Sequence, residues 1–180
     1  MNNVAVIYRS KYGSTKKYAE WIAKDLNADI FDGSKVNVDQ LSKYDTIIFG
    51  GGLYADGILG VDLITKNYES IKNKNLIVYT VGLGSTNDKE EFNRVIDKNF
   101  RPEMIKKIQF YHFQGGIDYG KLSLKHKMMM YMFYKFIAKK KVDELSADAK
   151  MIVATYGKNV DYTDKASIDP LVGYARGVAS

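Results

Sequence analysis

Val4-Ala5-Val6-Ile7-Tyr8-Arg9-Ser10-Lys11-Tyr12-Gly13-Ser14-Thr15 decides how this chain folds. Its opening run, Val4 to Tyr8, is apolar and β-branched, as in a parallel strand buried on both faces. From Ser14 the spacing changes. Tyr18, Ile22 and Leu26 recur at helical intervals, which places a helix over Ser14 to Leu26. A turn from strand into helix aims several backbone N–H groups at one spot, which makes an anion site. Ser10, Ser14 and Thr15 add hydroxyl donors, Lys11 and Tyr12 complete the loop, and Gly13 permits close approach of the backbone. The field of the helix end contributes roughly 0.3–1 kcal/mol per charge when exposed, and several N–H bonds to a phosphate outweigh it. Read by itself, Ser14 also suits a plain N-cap.

Outward from this loop, β-rich runs alternate with helical patterns. Asp29 to Phe31 reads as a second strand, and Val38 to Leu41 as a helical turn. Thr46 to Phe49 is a third strand, Leu76 to Val81 a fourth and Ile108 to Phe113 a fifth. Gly60 to Ile71 and Lys89 to Ile96 read as the intervening helices. Five strands with helices between them predict an α/β three-layer sandwich around a parallel sheet.

Two more glycine-rich turns follow strands. Gly50-Gly51-Gly52-Leu53-Tyr54-Ala55-Asp56-Gly57 follows the third and Gly82-Leu83-Gly84-Ser85-Thr86-Asn87 the fourth. Alone, the first reads as a tight turn with Tyr54 covering a groove. Other phosphate-binding spellings are absent. No G-x-G-x-x-G follows the first strand, and no G-x-x-x-x-G-K-[ST] occurs. The acidic cluster of a phosphoacceptor receiver is also missing, because Arg9, Ser10 and Lys11 stand there.

Ser10-x-x-Gly13-Ser14-Thr15 after a first strand, with the two later loops, resembles the flavodoxin family over about residues 1–120. The resemblance implies a five-stranded parallel sheet of order 2-1-3-4-5 with FMN at the carboxyl ends of its strands. It implies that Ser10 to Thr15 holds the phosphate. It also implies that Gly51, Gly52, Leu53, Tyr54 and Ala55, with Gly82, Leu83, Gly84 and Ser85, surround the ring. Tyr54 and Leu83 are then the residues against its faces.

Charge is distributed unevenly. Lys121 to Lys141 holds seven lysines and no acid, enough to account for the whole net charge of +6. Such asymmetry marks an interaction surface. On a helix over Leu122 to Lys140, the residues Leu122, Met129, Met132, Phe133, Phe136 and Ile137 share a broad face. That pattern suits a core-packing helix with a solvated basic side. It equally suits a surface for anionic lipid or a flat apolar molecule. A second helical stretch ends near Tyr156, and Ser167 to Val178 forms a last helix.

A narrower resemblance begins at Phe113-Gln114-Gly115-Gly116-Ile117-Asp118-Tyr119, continues through the basic Met-rich helix and ends in Val160-Asp161-Tyr162-Thr163-Asp164. These stretches are similar to the flavodoxin-type, menaquinone-dependent protoporphyrinogen oxidases, whose inserted segment after strand five is tied to activity. The stretch after Leu83 is shorter and more acidic here, and Tyr54 stands where those oxidases carry Arg. The resemblance implies an FMN oxidoreductase that takes hydrogen or electrons from an organic, porphyrin-like donor and passes them to a quinone-like acceptor. A flavodoxin-like electron carrier for redox-protein partners is the alternative, and a regulatory module without turnover is a third reading. Carriers of this kind are usually acidic, unlike this chain.

The chain has 180 residues, and the expectation is one domain over 1–180 with a basic helical insertion at about 117–150. Cysteine is absent, which excludes disulfides, zinc–thiolate sites and iron–sulfur clusters. No secretory signal or membrane-spanning run is legible. A cytoplasmic setting is expected, with peripheral contact at the inner face of the membrane through 121–141 and no nucleic-acid partner. No His–Asp–nucleophile set stands out. His112 falls in the fifth strand and His126 in the basic helix, so no general base is assigned.

Overall fold

Side chains of β1 (Val4–Arg9) part alternately to two faces. Ala5 and Ile7 enter one core, while Val4 and Val6 enter the other. The same alternation runs through β3 (Thr46–Tyr54), with Ile47 and Phe49 on the first side and Ile48 on the second. In β5 (Asn75–Gly82), Leu76 and Val78 oppose Ile77, Tyr79 and Val81. A strand buried on both faces carries a polar side chain only where it finds a hydrogen-bond partner, as Thr80 does, which explains the largely apolar runs. The computed structural model describes residues 3–54, 57–84, 89–141, 145 and 147–177, with the side chains of 147 and 148 excepted.

With β2 (Asp29–Asp32) and β6 (Ile108–Gln114), these strands form a parallel array of order β2-β1-β3-β5-β6. This is the order and fold class expected from the sequence. The two-residue β4 (Gly57–Ile58) adds antiparallel to the end of β3. One face is covered by α2 (Asp62–Thr65), α3 (Tyr68–Ile71), α4 (Lys89–Asn99) and α5 (Pro102–Ile105), which insert Ile64, Tyr68, Ile71, Val95, Ile96 and Met104. The other is covered by α1 (Ser14–Leu26) through Tyr18, Ala19 and Ile22, and by α8 (Asp169–Gly177) through Leu171 and Val172.

Between β6 and α8 the chain forms β7 (Gly116–Asp118), α6 (Leu124–Ile137), α7 (Ala147–Thr155) and β8 (Asn159–Asp161). β7 and β8 pair antiparallel, Ile117 opposite Val160. The two stretches that carried the narrower resemblance are thus one ribbon. It is tied to the sheet face by Tyr18, whose hydroxyl donates to the Gln114 carbonyl at 2.8 Å and accepts from the Asp164 N–H at 3.1 Å. Lys17 adds an ion pair to Asp161 at 2.9 Å.

Several boundaries differ from expectation. Gly50 to Gly52 do not form a turn but continue β3, paired with Tyr79 to Val81. Gly50 and Gly51 are required by close packing inside the sheet. A Cβ on Gly50 would lie 2.0 Å from the Tyr79 ring, and one on Gly51 2.4 Å from the Ile58 side chain. The single helix expected over Gly60 to Ile71 is two short ones, α2 and α3. Asn67 between them leaves helical geometry and donates its side-chain N–H to the Leu63 carbonyl at 2.9 Å, competing with the helix ladder. The basic helix is shorter than Leu122 to Lys140, because Ser123 caps it by accepting the His126 N–H at 3.4 Å. The last helix is divided: Asp164 caps a 3-10 turn at Lys165–Ile168 before α8. Val178 lies outside the described residues. The Pro-initiated α5 and strands β4, β7 and β8 lacked a periodic signal, being too short to show one.

A Gly50→Ala substitution should destabilise the protein by about 2 kcal/mol in urea unfolding, because the added methyl drives into a fully buried ring. Combining it with Tyr79→Leu should recover part of that loss. Additive losses would contradict the contact.

Candidate functional site

The carboxyl ends of β1, β3, β5 and β6 open into one cleft of about 610 Å³, roofed by α6. Its volume lies in the range of pockets for small molecules and cofactors, roughly 300–1,000 Å³. The floor is the turn between β1 and α1. Ser10 accepts the Gly13 N–H on Oγ at 3.0 Å, and Gly13 takes φ 104° at the N-cap of α1. A side chain is strained there, so glycine is needed to enter the helix at this angle. The first turn of α1 has no side-chain cap and no acid. Its opening N–H groups therefore keep their donor capacity and positive field.

This floor is anchored from below. Thr15 is buried, and its carbonyl accepts the hydroxyl of the fully buried Tyr79 at 3.1 Å. Ser14 Oγ accepts the Gly116 N–H at 3.3 Å, which joins the loop to the β7–β8 ribbon. Gly115 passes close over the end of β5, where an added Cβ would lie 2.8 Å from Val81.

Of the residues selected from sequence, Ser10, Lys11, Tyr12, Ser14, Thr15, Gly52, Leu53, Tyr54, Gly82 and Leu83 converge on the cleft wall. Gly13 sits at the cap behind it, Gly51 packs against Ile58 and Gly84 is buried outside the wall. Ala55 and Ser85 lie outside the described residues. Burial and the neighbouring Tyr12 push the Tyr54 phenol up to about 12, so it stays protonated as a neutral aromatic surface.

Both histidines also reach the cleft, a placement the sequence alone did not reveal. His112 on β6 shares a hydrogen bond of 2.7 Å between Nδ1 and Thr80 Oγ1, and its ring lies 5.7 Å from that of Phe92. Burial lowers its pKa to about 4, so the imidazole is neutral at pH 7. The even-numbered positions of β6 point one way, and this parity with the strand end at Gln114 was the available signal.

His126 pins the roof to the floor. Lys11 Nζ lies 3.3 Å from its Nε2, and an ammonium can only donate. Nε2 is therefore the acceptor, and Nδ1–H donates to the Tyr12 hydroxyl oxygen. Burial, then Lys11 and Lys125, lower the His126 pKa and favour this neutral form. The Tyr12 oxygen also accepts the Ser123 N–H at 3.4 Å, and Tyr54 stacks on the imidazole at 6.0 Å between centroids. On its far side α6 leans on α7, where Tyr134 stacks on Tyr156 at 4.2 Å. Removing the Tyr12 oxygen as Tyr12→Phe deletes the shared acceptor, a loss of about 1–1.5 kcal/mol. Amide exchange over 124–130 should then quicken about tenfold, while β5 amides keep their protection.

The cleft thus combines an anion-attracting floor, glycine-lined strand ends and an apolar roof of Met129, Met132, Phe133 and Phe136. Residues 5–144 match the family profile described as a flavodoxin domain. The chain belongs to that family. Among solved structures, it is similar to the flavodoxin, WrbA-like protein from Agrobacterium tumefaciens, at 16% identity over 98% of this chain and 99% of that one, with a TM-score of 0.46. The flavodoxin of Megasphaera elsdenii matches at 16% identity over 61% of this chain and 84% of its own, with a TM-score of 0.42. An uncharacterized protein of Methanocaldococcus jannaschii is 44% identical over 50 residues, which is 27% of this chain and 33% of that relative. This chain therefore matches only a third of that curated relative's length. Among the described residues no His, Asp and Glu cluster suits a metal ion, and no helix is long and apolar enough to cross a membrane.

Proposed function

We propose that the chain is an FMN-dependent oxidoreductase of the flavodoxin-like protoporphyrinogen oxidase type, passing hydrogen or electrons from an organic donor to a quinone-like acceptor. The observation that carries this reading is the uncapped, acid-free start of α1 at one end of a cleft whose other wall is apolar. The residues fit the cofactor. Ser10, Ser14 and Thr15 hydroxyls and the first N–H groups of α1 suit a phosphate, and Lys11 adds charge. Backbone groups at Gly52 to Tyr54 and at Gly82 and Leu83 suit the polar edge of a flavin ring, with Tyr54 against a face. When bound, FMN supplies the capacity to take up and release one or two electrons.

The remaining work falls to the chain's own side chains. Met129, Met132, Phe133 and Phe136 form a pliable apolar wall suited to a flat, conjugated substrate. Neutral His112 and the Tyr12–His126 pair add polar atoms to the lining of the same cleft without adding charge to it. The β7–β8 ribbon holds the base of the roof against the phosphate loop.

Steady-state turnover of the FMN-loaded protein with protoporphyrinogen and a menaquinone analogue tests the reading. Turnover well above that of free FMN is expected. A rate equal to free FMN, with a very low second one-electron potential, would instead assign the chain to electron carriage between proteins.

A further inference from the structure

The outer face of α6 serves no contact described above. At 14 residues the helix is about 21 Å long. Met129, Met130 and Phe133 turn toward the cleft, and Ile137 is buried. About half a turn away, Leu124, Met128 and Tyr131 face outward, with Lys135 among them. Leu124 is 78% exposed and Met128 60%, while Met132 and Phe136 at the edge are 62% and 61% exposed. A helix apolar on nearly every side normally sits inside a protein or a bilayer. This one lies on the surface.

Its surroundings are cationic. Lys121, Lys125, Lys127, Lys135, Lys139, Lys140 and Lys141 are all exposed, and no acid occurs between 121 and 141. Lys121 pairs with Asp118 at 3.6 Å, and the other six form no ion pair among the described residues. Lys135 and Lys140 lie over the rings of Tyr131 and Phe136, at 5.5 and 4.9 Å from the centroids. Their stems run along apolar surface and their ammonium groups stand at its margin. Large apolar side chains ringed by unpaired lysines match the layered chemistry of an anionic lipid surface, with acyl chains below and phosphates above.

We infer that α6 docks the protein peripherally on an anionic bilayer, its outer face in the headgroup–acyl boundary. The same helix then borders both the bilayer and the cleft. A lipid-soluble acceptor leaving the membrane beside it meets the wall of Met132 and Phe136 directly. That second consequence rests on the oxidoreductase reading. The docking itself does not.

Flotation of the full chain with vesicles of equimolar phosphatidylcholine and phosphatidylglycerol, compared with phosphatidylcholine alone, tests the docking. The chain should float with the anionic vesicles and stay behind with the neutral ones. Each lysine near the surface contributes about fivefold, so Lys127→Gln/Lys135→Gln/Lys139→Gln should weaken binding about 100-fold. Leu124→Ser/Met128→Ser should also release the chain, through the apolar half of the contact. Lys106→Gln/Lys107→Gln removes charge at the opposite end of β6 and should float like the wild type. All three lysines and both apolar residues of these helix variants are exposed, so each variant can be checked for an unchanged melting temperature. A wild-type chain that ignores anionic vesicles would overturn the inference. So would equal losses in the helix and Lys106/Lys107 variants. Flotation needs no flavin and no turnover, so its failure is distinguishable from failure of the enzymatic reading.

Discussion

Ser10→Asp is expected to weaken FMN binding by about 100-fold while leaving the apoprotein as stable as before. Ser10 Oγ accepts the Gly13 N–H at 3.0 Å, and an Asp carboxylate can accept the same bond, so the turn keeps its shape. A negative charge at the acid-free start of α1 even favours the free helix by about 0.3–1 kcal/mol. A bound phosphate must then share that space with the carboxylate. Two like charges about 6 Å apart cost about 3 kcal/mol at an effective dielectric of 20, which is roughly a 100-fold change in affinity. Riboflavin carries no phosphate, so its affinity should not move. Thermal melting of the apoprotein and fluorescence titration with both ligands check the prediction. Equal weakening of FMN and riboflavin would show that the substitution distorted the cleft.

A second large effect concerns pH. His112 has its pKa lowered by burial from the ordinary 6.5 to about 4. In the unfolded chain it takes up a proton below 6.5, whereas in the folded chain it resists until about pH 4. Between those values the unfolded state binds more protons, so stability falls as pH falls. The full loss is about 3 kcal/mol, reached near pH 4 and absent above pH 7. Urea unfolding of the apoprotein across this window should show it. His112→Gln keeps a partner for Thr80 Oγ1 and should flatten the pH profile relative to the wild type. A profile unchanged by that substitution would place the buried titration elsewhere.

Much of this was legible from the chain because strand parity and helix spacing are local. Val4 to Tyr8 and the Tyr18–Ile22–Leu26 series announce a buried strand and the helix that covers it; their repetition implied a parallel sheet, and its strand order came from the resemblance to flavodoxins. The turn from β1 into α1 was legible for the same reason, since its hydroxyls, its glycine and the helix start lie within consecutive residues. What escaped depends on contacts distant in sequence. Gly50 to Gly52 look like a turn until Tyr79, on the neighbouring strand, is seen to occupy the side-chain space of Gly50 and Ile58 that of Gly51. His126 gives no local sign that Tyr12 and Lys11, more than a hundred positions earlier, will meet its two nitrogens. The short β7 and β8 each lack a period, and only their pairing makes them a ribbon. The exposed outer face of α6 was half visible: its lysines were counted, but which apolar residues faced away from the cleft needed the fold.

The central claim concerns one group, the phosphate at the start of α1. Fluorescence-quenching titration of the apoprotein with FMN and with riboflavin isolates it, because the two ligands share the ring and differ only in that ester. The account predicts that FMN binds at least about 100-fold more tightly and that high salt narrows the difference. Equal affinity for both, or no quenching by either, would contradict it.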